Sequence, residues 1–326
     1  MNIKGRNPGY RKITLFCLLL ALLAAFACAA LAEEETIVED IPDESLVSSP
    51  LPISLAGGYP PQESGYISET VYEDPTIRVS IEYKDANPYV RDYNGRIAGY
   101  WVVDVRIGDA SQLRTAPAGL TFDDGNDTEA LSIAERVNAV VAINGDSPSY
   151  SKPDGLIIRQ GETYRDKLKG KRDVLLIDED GDFHVYHLPK KGELSDTVDG
   201  KKVINAFYFG PILVEDGKPL KKMPAFAHLD PEKYYARIAI CQVGPLHYKL
   251  IATTNKVNLD ILGLPMADFA KVCADEGAQI AYNLDGGIST TIYFNHERVN
   301  KNDRINFRDI PDIIYFASAW NGEDPQ

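Results

Sequence analysis

The feature that most constrains this chain is a pattern that occurs twice. A helix-like stretch stops at asparagine or glycine, a buried strand follows, and the strand ends abruptly in a polar glycine turn. In the first instance Ala130, Leu131, Ala134 and Val137 share one helical face, with Thr128 as the expected cap and Asn138 as the stop. Ala139-Val140-Val141-Ala142-Ile143 then runs into Asn144-Gly145-Asp146. In the second, Met266, Phe269, Ala270 and Cys273 mark a helix closed by Gly277. Ala278 to Leu284 then runs into Asp285-Gly286-Gly287, with Ser289, Thr290 and Thr291 just beyond. A strand that is apolar throughout is buried on both faces. When such a strand ends in Asn, Asp and Gly, it brings polar groups to a sheet edge on rigid support. Glycine also lets backbone approach a ligand and leaves N–H groups for oxyanions. Asn-Gly and Asp-Gly are equally ordinary turn pairs, so the pattern by itself leaves a plain turn and a polar site both open.

The remaining punctuation is that of strands. Alternating or β-branched runs lie at 76–83 and 99–107, and hairpin signals at 156–165 and 174–187. Further strand-like runs follow at 206–214, 237–242, 248–253, 292–294 and 313–316. With two helices among them, the expected class is α+β: one strand-rich domain with a mixed sheet and a few helices, over residues 76–326. Asp178-Glu179-Asp180-Gly181 looks superficially like a calcium loop, but it lacks the twelve-residue ligand spacing and reads as a hairpin turn. No glycine-rich dinucleotide fingerprint or P-loop is present, so no nucleotide cofactor is expected.

Residues 1–32 read as an export signal. Lys4, Arg6, Arg11 and Lys12 precede an apolar run, and Ala30-Leu31-Ala32 is a small-x-small cleavage site. An uncleaved membrane anchor is the alternative, because Ile13–Ala32 is just long enough to span a bilayer. Residues 33–75 hold eleven acidic residues, six prolines and no Lys or Arg, and read as an extended acidic spacer. The chain carries 34 Lys+Arg against 48 Asp+Glu, a formal charge of −14. That balance excludes a nucleic-acid partner, since affinity for phosphate backbones comes from Lys and Arg clusters. Membrane contact is expected only through the N-terminal segment if it is retained. Beyond the leader only Cys241 and Cys273 remain, and both a disulfide and two buried thiols are open.

One ordered series of blocks is more specific. It runs from Ala142-Ile143-Asn144-Gly145-Asp146 through Asp154-Gly155-Leu156 to Arg159-Gln160-Gly161, then Phe209-Gly210-Pro211. It continues with Arg237-Ile238-Ala239-Ile240, Leu246-His247-Tyr248 and Ala281-Tyr282-Asn283-Leu284-Asp285-Gly286-Gly287, and closes with Arg308-Asp309-Ile310-Pro311-Asp312. This series resembles the phosphodiester glycosidase family over residues of about 76–318. The resemblance implies hydrolysis of a sugar-1-phosphate diester, of the N-acetylglucosamine-1-phosphodiester kind, on extracellular or cell-surface glycans. Such chemistry needs a carboxylate to stabilise an oxocarbenium-like sugar. It also needs guanidinium or backbone N–H groups for the phosphate, and a group that positions water. On that basis Asp285 is the leading carboxylate and Asp146 its expected partner, with His247 as a further acid or base. Arg237 and Arg308 are the expected phosphate clamps. Asn144, Gly145, Asn283, Gly286, Gly287, Ser289 and Thr290 are expected to bind substrate or orient water. No cofactor and no dedicated metal site are expected, although Asp146 and Asp285 offer oxygen ligands of the kind Ca²⁺ takes.

Three departures from the family pattern fall near this site. Ile288 stands where a third glycine is usual, Thr254-Asn255-Lys256 replaces Asp-Gly-Arg, and Cys241 replaces a glycine. They leave open a non-catalytic glycan- or phosphoglycan-binding module on the same fold, and more remotely a structural surface protein with an acidic stalk.

Overall fold

Alternating apolar side chains and tight glycine turns give antiparallel pairing almost everywhere in the computed structural model. It describes residues 43, 45–52, 57–89, 97–122, 124–146, 154–221, 223, 230–253, 261–301 and 306–323. These lie in one compact unit, Asp40–Gln326. The leader, the start of the acidic stretch and Thr254-Asn255-Lys256 lie outside the described residues. Among the described residues the strands form three sheets of ten, six and five strands, and no helix is long and apolar enough to cross a membrane.

The largest sheet carries the long strands Ile77–Asp85, Ile97–Ile107, His247–Thr253 and Ile238–Gly244, then Ile280–Asn283 and Ile212–Glu215. The five-stranded sheet centres on Ala139–Asn144, flanked by Ile292–Phe294 and Asp312–Ala317. The third contains Gly155–Arg159, Val174–Asp178 and Lys201–Phe207. The inner faces share one core, in which Val103, Ile240 and Leu250 of the first sheet meet Val141 and Ile314 of the second and Leu175 and Phe207 of the third. The two helices cover outer faces. Ala130–Arg136 buries Ile133 and Ala134 against Ala142 and Tyr315, and Met266–Asp275 buries Phe269, Ala270 and Cys273 against Ala239 and Cys241.

The expected α+β class is therefore corrected to mostly β, with two helices among the described residues. Their stops are as expected, with Asn138 at φ 54° and Gly277 at φ 89° in the left-handed region. Thr128 does not cap: its backbone pairs with Ile310, and Glu129 takes the N-cap position. The run 206–214 is not one strand. Lys201–Phe207 ends before Tyr208, and Ile212–Glu215 begins in another sheet. The Asp178–Asp182 loop is a hairpin turn whose carboxylates are already answered. Backbone N–H groups of Asp180 and Asp182 donate to Asp178, and Lys201 Nζ sits 3.5, 3.0 and 3.2 Å from Asp178, Asp180 and Asp182.

The acidic spacer is shorter than the composition implies. Strands Tyr66–Ser68 and Val71–Asp74 extend the largest sheet, and Tyr72 is wholly buried. Asp74 explains why an acidic residue is accepted there. It receives Tyr72 Oη, the Thr76 and Ile77 N–H groups, Thr76 Oγ1 and Ser318 Oγ, which ties this edge to the last strand. A chain starting at residue 76 is thus expected to lose several kcal/mol, on the order of the 3–5 kcal/mol of a deleted buried aromatic plus the severed hydrogen bonds. A chain starting at residue 43 keeps full stability, and urea unfolding of the two distinguishes them.

Candidate active site

Antiparallel order explains why distant segments meet. Asn283 pairs with Ala239, so the end of Ile280–Asn283 lies beside the start of Ile238–Gly244, where Arg237 sits. Leu284 N–H then donates to Ile238 O and Gly287 N–H to Ala236 O, which carries the turn along the sheet edge. From there residues 284–291 cross to the five-stranded sheet, where Ile292 pairs with Ile143. Asn144 completes the crossing. Its Nδ2 donates to Asp285 O at 2.7 Å, and its Oδ1 accepts the Thr291 N–H at 3.1 Å. The two turns singled out in the sequence are therefore neighbours in space.

At this junction lies a cleft of about 350 Å³, lined by Arg172, Phe209, Tyr235, Arg237, Asn283, Asp285, Gly286, Gly287 and Arg308 among others. Its charge is opposite in sign to that of the chain, with three guanidinium groups around one carboxylate. Arg308 contacts both the Asp285 carboxylate and Ser289 Oγ. Burial pushes the Asp285 carboxyl up from its usual range; the Ser289 hydrogen bond and the Arg308 charge pull it down, and Asp146 adds to the rise. Asn283 Nδ2 donates to Gly210 O at 2.8 Å, while its buried Oδ1 has no hydrogen-bond partner among the described residues.

Arg237 differs from the clamp expected. Nε donates to Leu264 O at 3.1 Å and Nη2 to Lys233 O at 3.0 Å, so much of its fork is used in holding it. Burial pushes its pKa down to about 10, and no ion pair to it occurs among the described residues. It supplies fixed positive charge rather than a free fork. Arg172 is held by other means. It lies over the Tyr208 and Phe209 rings, 5.7 and 5.5 Å from their centroids. The sequence reading missed Arg172, Phe209 and Tyr235, whose neighbourhood follows only from the meeting of sheets. The Phe209-Gly210-Pro211 block was the one available signal.

Asp146 does not line the cleft. It is 2% exposed, Oδ1 receives Arg159 Nη2 at 2.7 Å and Oδ2 receives the Tyr208 N–H at 2.7 Å. Gly145 is likewise structural: its N–H donates to Asp312 O, and a Cβ there would lie 2.1 Å from Asp312 Oδ1. Thr290 is buried outside the cleft lining, its carbonyl held by Asn300. His247 is at the wrong end of its strand. It sits beside the Gly244 hairpin with Nε2 3.0 Å from Asp104, six residues or about 20 Å from Thr253 at the cleft end.

The departures at 241 and 288 leave the cleft intact. Gly287 takes the left-handed turn at φ 63°, Ile288 is not in that region, and its side chain points to solvent at 51% exposure. Cys241 pairs with Ala281 and faces the helix, where it and Cys273 are buried free thiols. Among the described residues no group of three or more His, Cys, Asp or Glu is placed to hold a metal ion.

Comparison with known proteins bears on the fold and the family. The family model described as phosphodiester glycosidase matches residues 137–317, more than half of the chain. That span holds both turns and every cleft residue named above. Sequence comparison with curated proteins finds no significant match. Among solved structures, the auto-inhibited catalytic domain of zebrafish N-acetylglucosamine-1-phosphodiester alpha-N-acetylglucosaminidase superimposes with TM-score 0.60 at 16% identity, over 80% of this chain and 87% of that one. A hypothetical protein from Synechocystis superimposes with TM-score 0.56 at 15% identity, over 76% of this chain and 64% of that one. These likenesses establish a shared fold, and the sequence match establishes kinship: the chain belongs to the phosphodiester glycosidase family.

Proposed function

We propose that this protein hydrolyses the glycosidic bond of a sugar-1-phosphate diester, of the N-acetylglucosamine-1-phosphodiester kind, on extracellular or cell-surface glycans. The leader at residues 1–32 would deliver it there. The observation that carries the reading is a single raised carboxyl, Asp285, set among three guanidinium groups in the cleft of a family of glycosidases.

The chemistry follows from those groups. The phosphodiester anion sits against Arg308 and Arg172, with Arg237 adding fixed positive potential. The bond between the anomeric carbon and the phosphate oxygen breaks, and its electron pair leaves on the phosphomonoester. That leaving group is a weak base, with a second pKa near 6, so it needs no strong general acid. Asp285 stabilises the electron-poor sugar carbon, which favours its ionised form. A water supplies the new hydroxyl, and its proton passes to solvent or to the departing phosphate. Phe209 and Tyr235 offer apolar faces to the sugar ring.

Incubation with an N-acetylglucosamine-1-phosphodiester is expected to release free sugar and phosphomonoester in equal amounts; tight binding without turnover would instead indicate a non-catalytic binding module. Asp285→Asn is expected to lower kcat by roughly 10²- to 10⁴-fold. Arg308→Lys keeps the charge but loses the fork, and is expected to raise KM roughly 10- to 100-fold. Because the ionised form of Asp285 acts, kcat falls as pH drops through its raised pKa, above the ordinary 3.8. The same shift has a stability consequence. A carboxyl raised in the folded state destabilises that state above its folded pKa, and the penalty vanishes below the unfolded one. Asp285→Asn is therefore expected to melt at or above wild type at pH 7, with the difference closing near pH 3.5.

A further inference from the structure

Behind the cleft, one guanidinium serves two carboxyl groups. Arg159 is wholly buried and donates from Nη2 to Asp146 Oδ1 at 2.7 Å. It also donates from Nη2 and Nε to Asp312 Oδ2, at 2.9 and 3.1 Å. Asp146 has both oxygens answered, the second by the Tyr208 N–H. Asp312 does not: it is 0% exposed, and Oδ1 has no hydrogen-bond partner among the described residues. That oxygen packs against the Cα of Gly145.

Charge balance gives this arrangement its meaning. With both carboxyl groups ionised, the buried cluster carries one uncompensated negative charge, which the interior strongly disfavours. A proton on Asp312 Oδ1 neutralises the cluster. The other charged groups near Asp312 do not replace that proton. On the neighbouring strand Arg114 is engaged by Tyr315 Oη, Ser111 O and Pro52 O, and Arg136 from the helix binds the carbonyls of Pro117, Ala118 and Gly119. Across the junction lies the Asp285 carboxyl, whose backbone carbonyl is held by Asn144, two positions before Asp146.

We propose that Asp312 is a positioning residue which holds a proton when the cleft takes up its anionic substrate, so that phosphodiester binding and protonation of this buried cluster are linked. The proposal rests on the phosphodiester reading of the cleft. Burial lifts the Asp312 carboxyl to about 6; Arg159 opposes the rise, and Asp146 and Asp285 add to it. An added anion in the cleft lifts it further, so the substrate and the proton favour each other.

The test is calorimetric binding of a non-chromogenic N-acetylglucosamine-1-phosphodiester to Asp285→Asn, whose slowed turnover leaves the diester intact over a titration, and to the same variant also carrying Asp312→Asn. A diester keeps one negative charge throughout, so the probe does not titrate. Affinity is expected to fall roughly tenfold from pH 5.5 to pH 8, a typical coupling between linked events. Proton uptake, read in two buffers of different ionisation enthalpy, is expected to approach one per site between the free and bound pKa values. With Asp312→Asn, neutral and of the same shape, added to Asp285→Asn, binding is expected to keep the acid-limb affinity at every pH and to take up no proton. Equal uptake with and without Asp312→Asn, or no uptake by Asp285→Asn itself, overturns the proposal. Infrared spectroscopy of the unliganded wild type, with the band assigned to Asp312 by its loss in Asp312→Asn, gives a reading that needs no ligand. A protonated-carboxyl band that disappears as pH rises through about 6 is expected, and its absence at pH 5 overturns the proposal. Failure of the diester to bind, with that band present, would sink the phosphodiester reading and the coupling but leave the buried proton standing.

Discussion

Everything at this site depends on the Asn144 side chain. The strand that carries it belongs to one sheet, and the loop it holds leaves another. Nδ2 donates to the carbonyls of Asp285 and Gly145, at 2.7 and 3.0 Å, and Oδ1 accepts from Thr291. An amide is suited to this place because it donates and accepts at once without charge. It therefore joins two backbone segments and leaves the electrostatics of the cleft to its neighbours. A carboxylate there would add negative charge beside Asp285 and lose the donor.

Those neighbours are arranged so that a chain of net charge −14 presents a cationic hollow. Each arginine is held by a different means. Arg308 is gathered by Asp285 and Ser289, Arg237 by main-chain carbonyls and Arg172 by aromatic faces. Main-chain carbonyls fix a guanidinium without cancelling its formal charge, which keeps it effective toward an anion. Arg159 is the contrast, because its charge is met by two carboxyl groups rather than held open toward the cleft. Surface charge thus says little about a site whose field is set by a few oriented groups.

Much of the architecture was legible because the two buried strands and their stops are local events. Asn138, Gly277 and Asn144-Gly145 all do locally what their chemistry implies. Asp285, Arg308 and Asn283 were legible at the site for the same reason: each lies within or beside a recognisable turn. Asp146 was misplaced because the sequence gives a carboxylate at a sheet end without saying which way it faces. Its partner Arg159 lies on a third sheet. His247 failed on direction, since an antiparallel strand has two ends and only Thr253 reaches the cleft. The acidic stretch failed on composition: eleven carboxyl groups outweigh a single Tyr72 in any average, yet Tyr72 and Asp74 dock the segment.

The floor of the cleft has an evolutionary corollary. Gly286 lies against the main chain of Ala236, whose carbonyl oxygen would stand 2.4 Å from any Cβ, and Gly287 donates to that same oxygen. Main chain on main chain offers no side chain to exchange, so this surface cannot drift by substitution. Any change in what the cleft accepts must run through the walls, where Phe209, Tyr235 and Arg172 lie. A site built this way can change its selectivity while its anchor stays fixed.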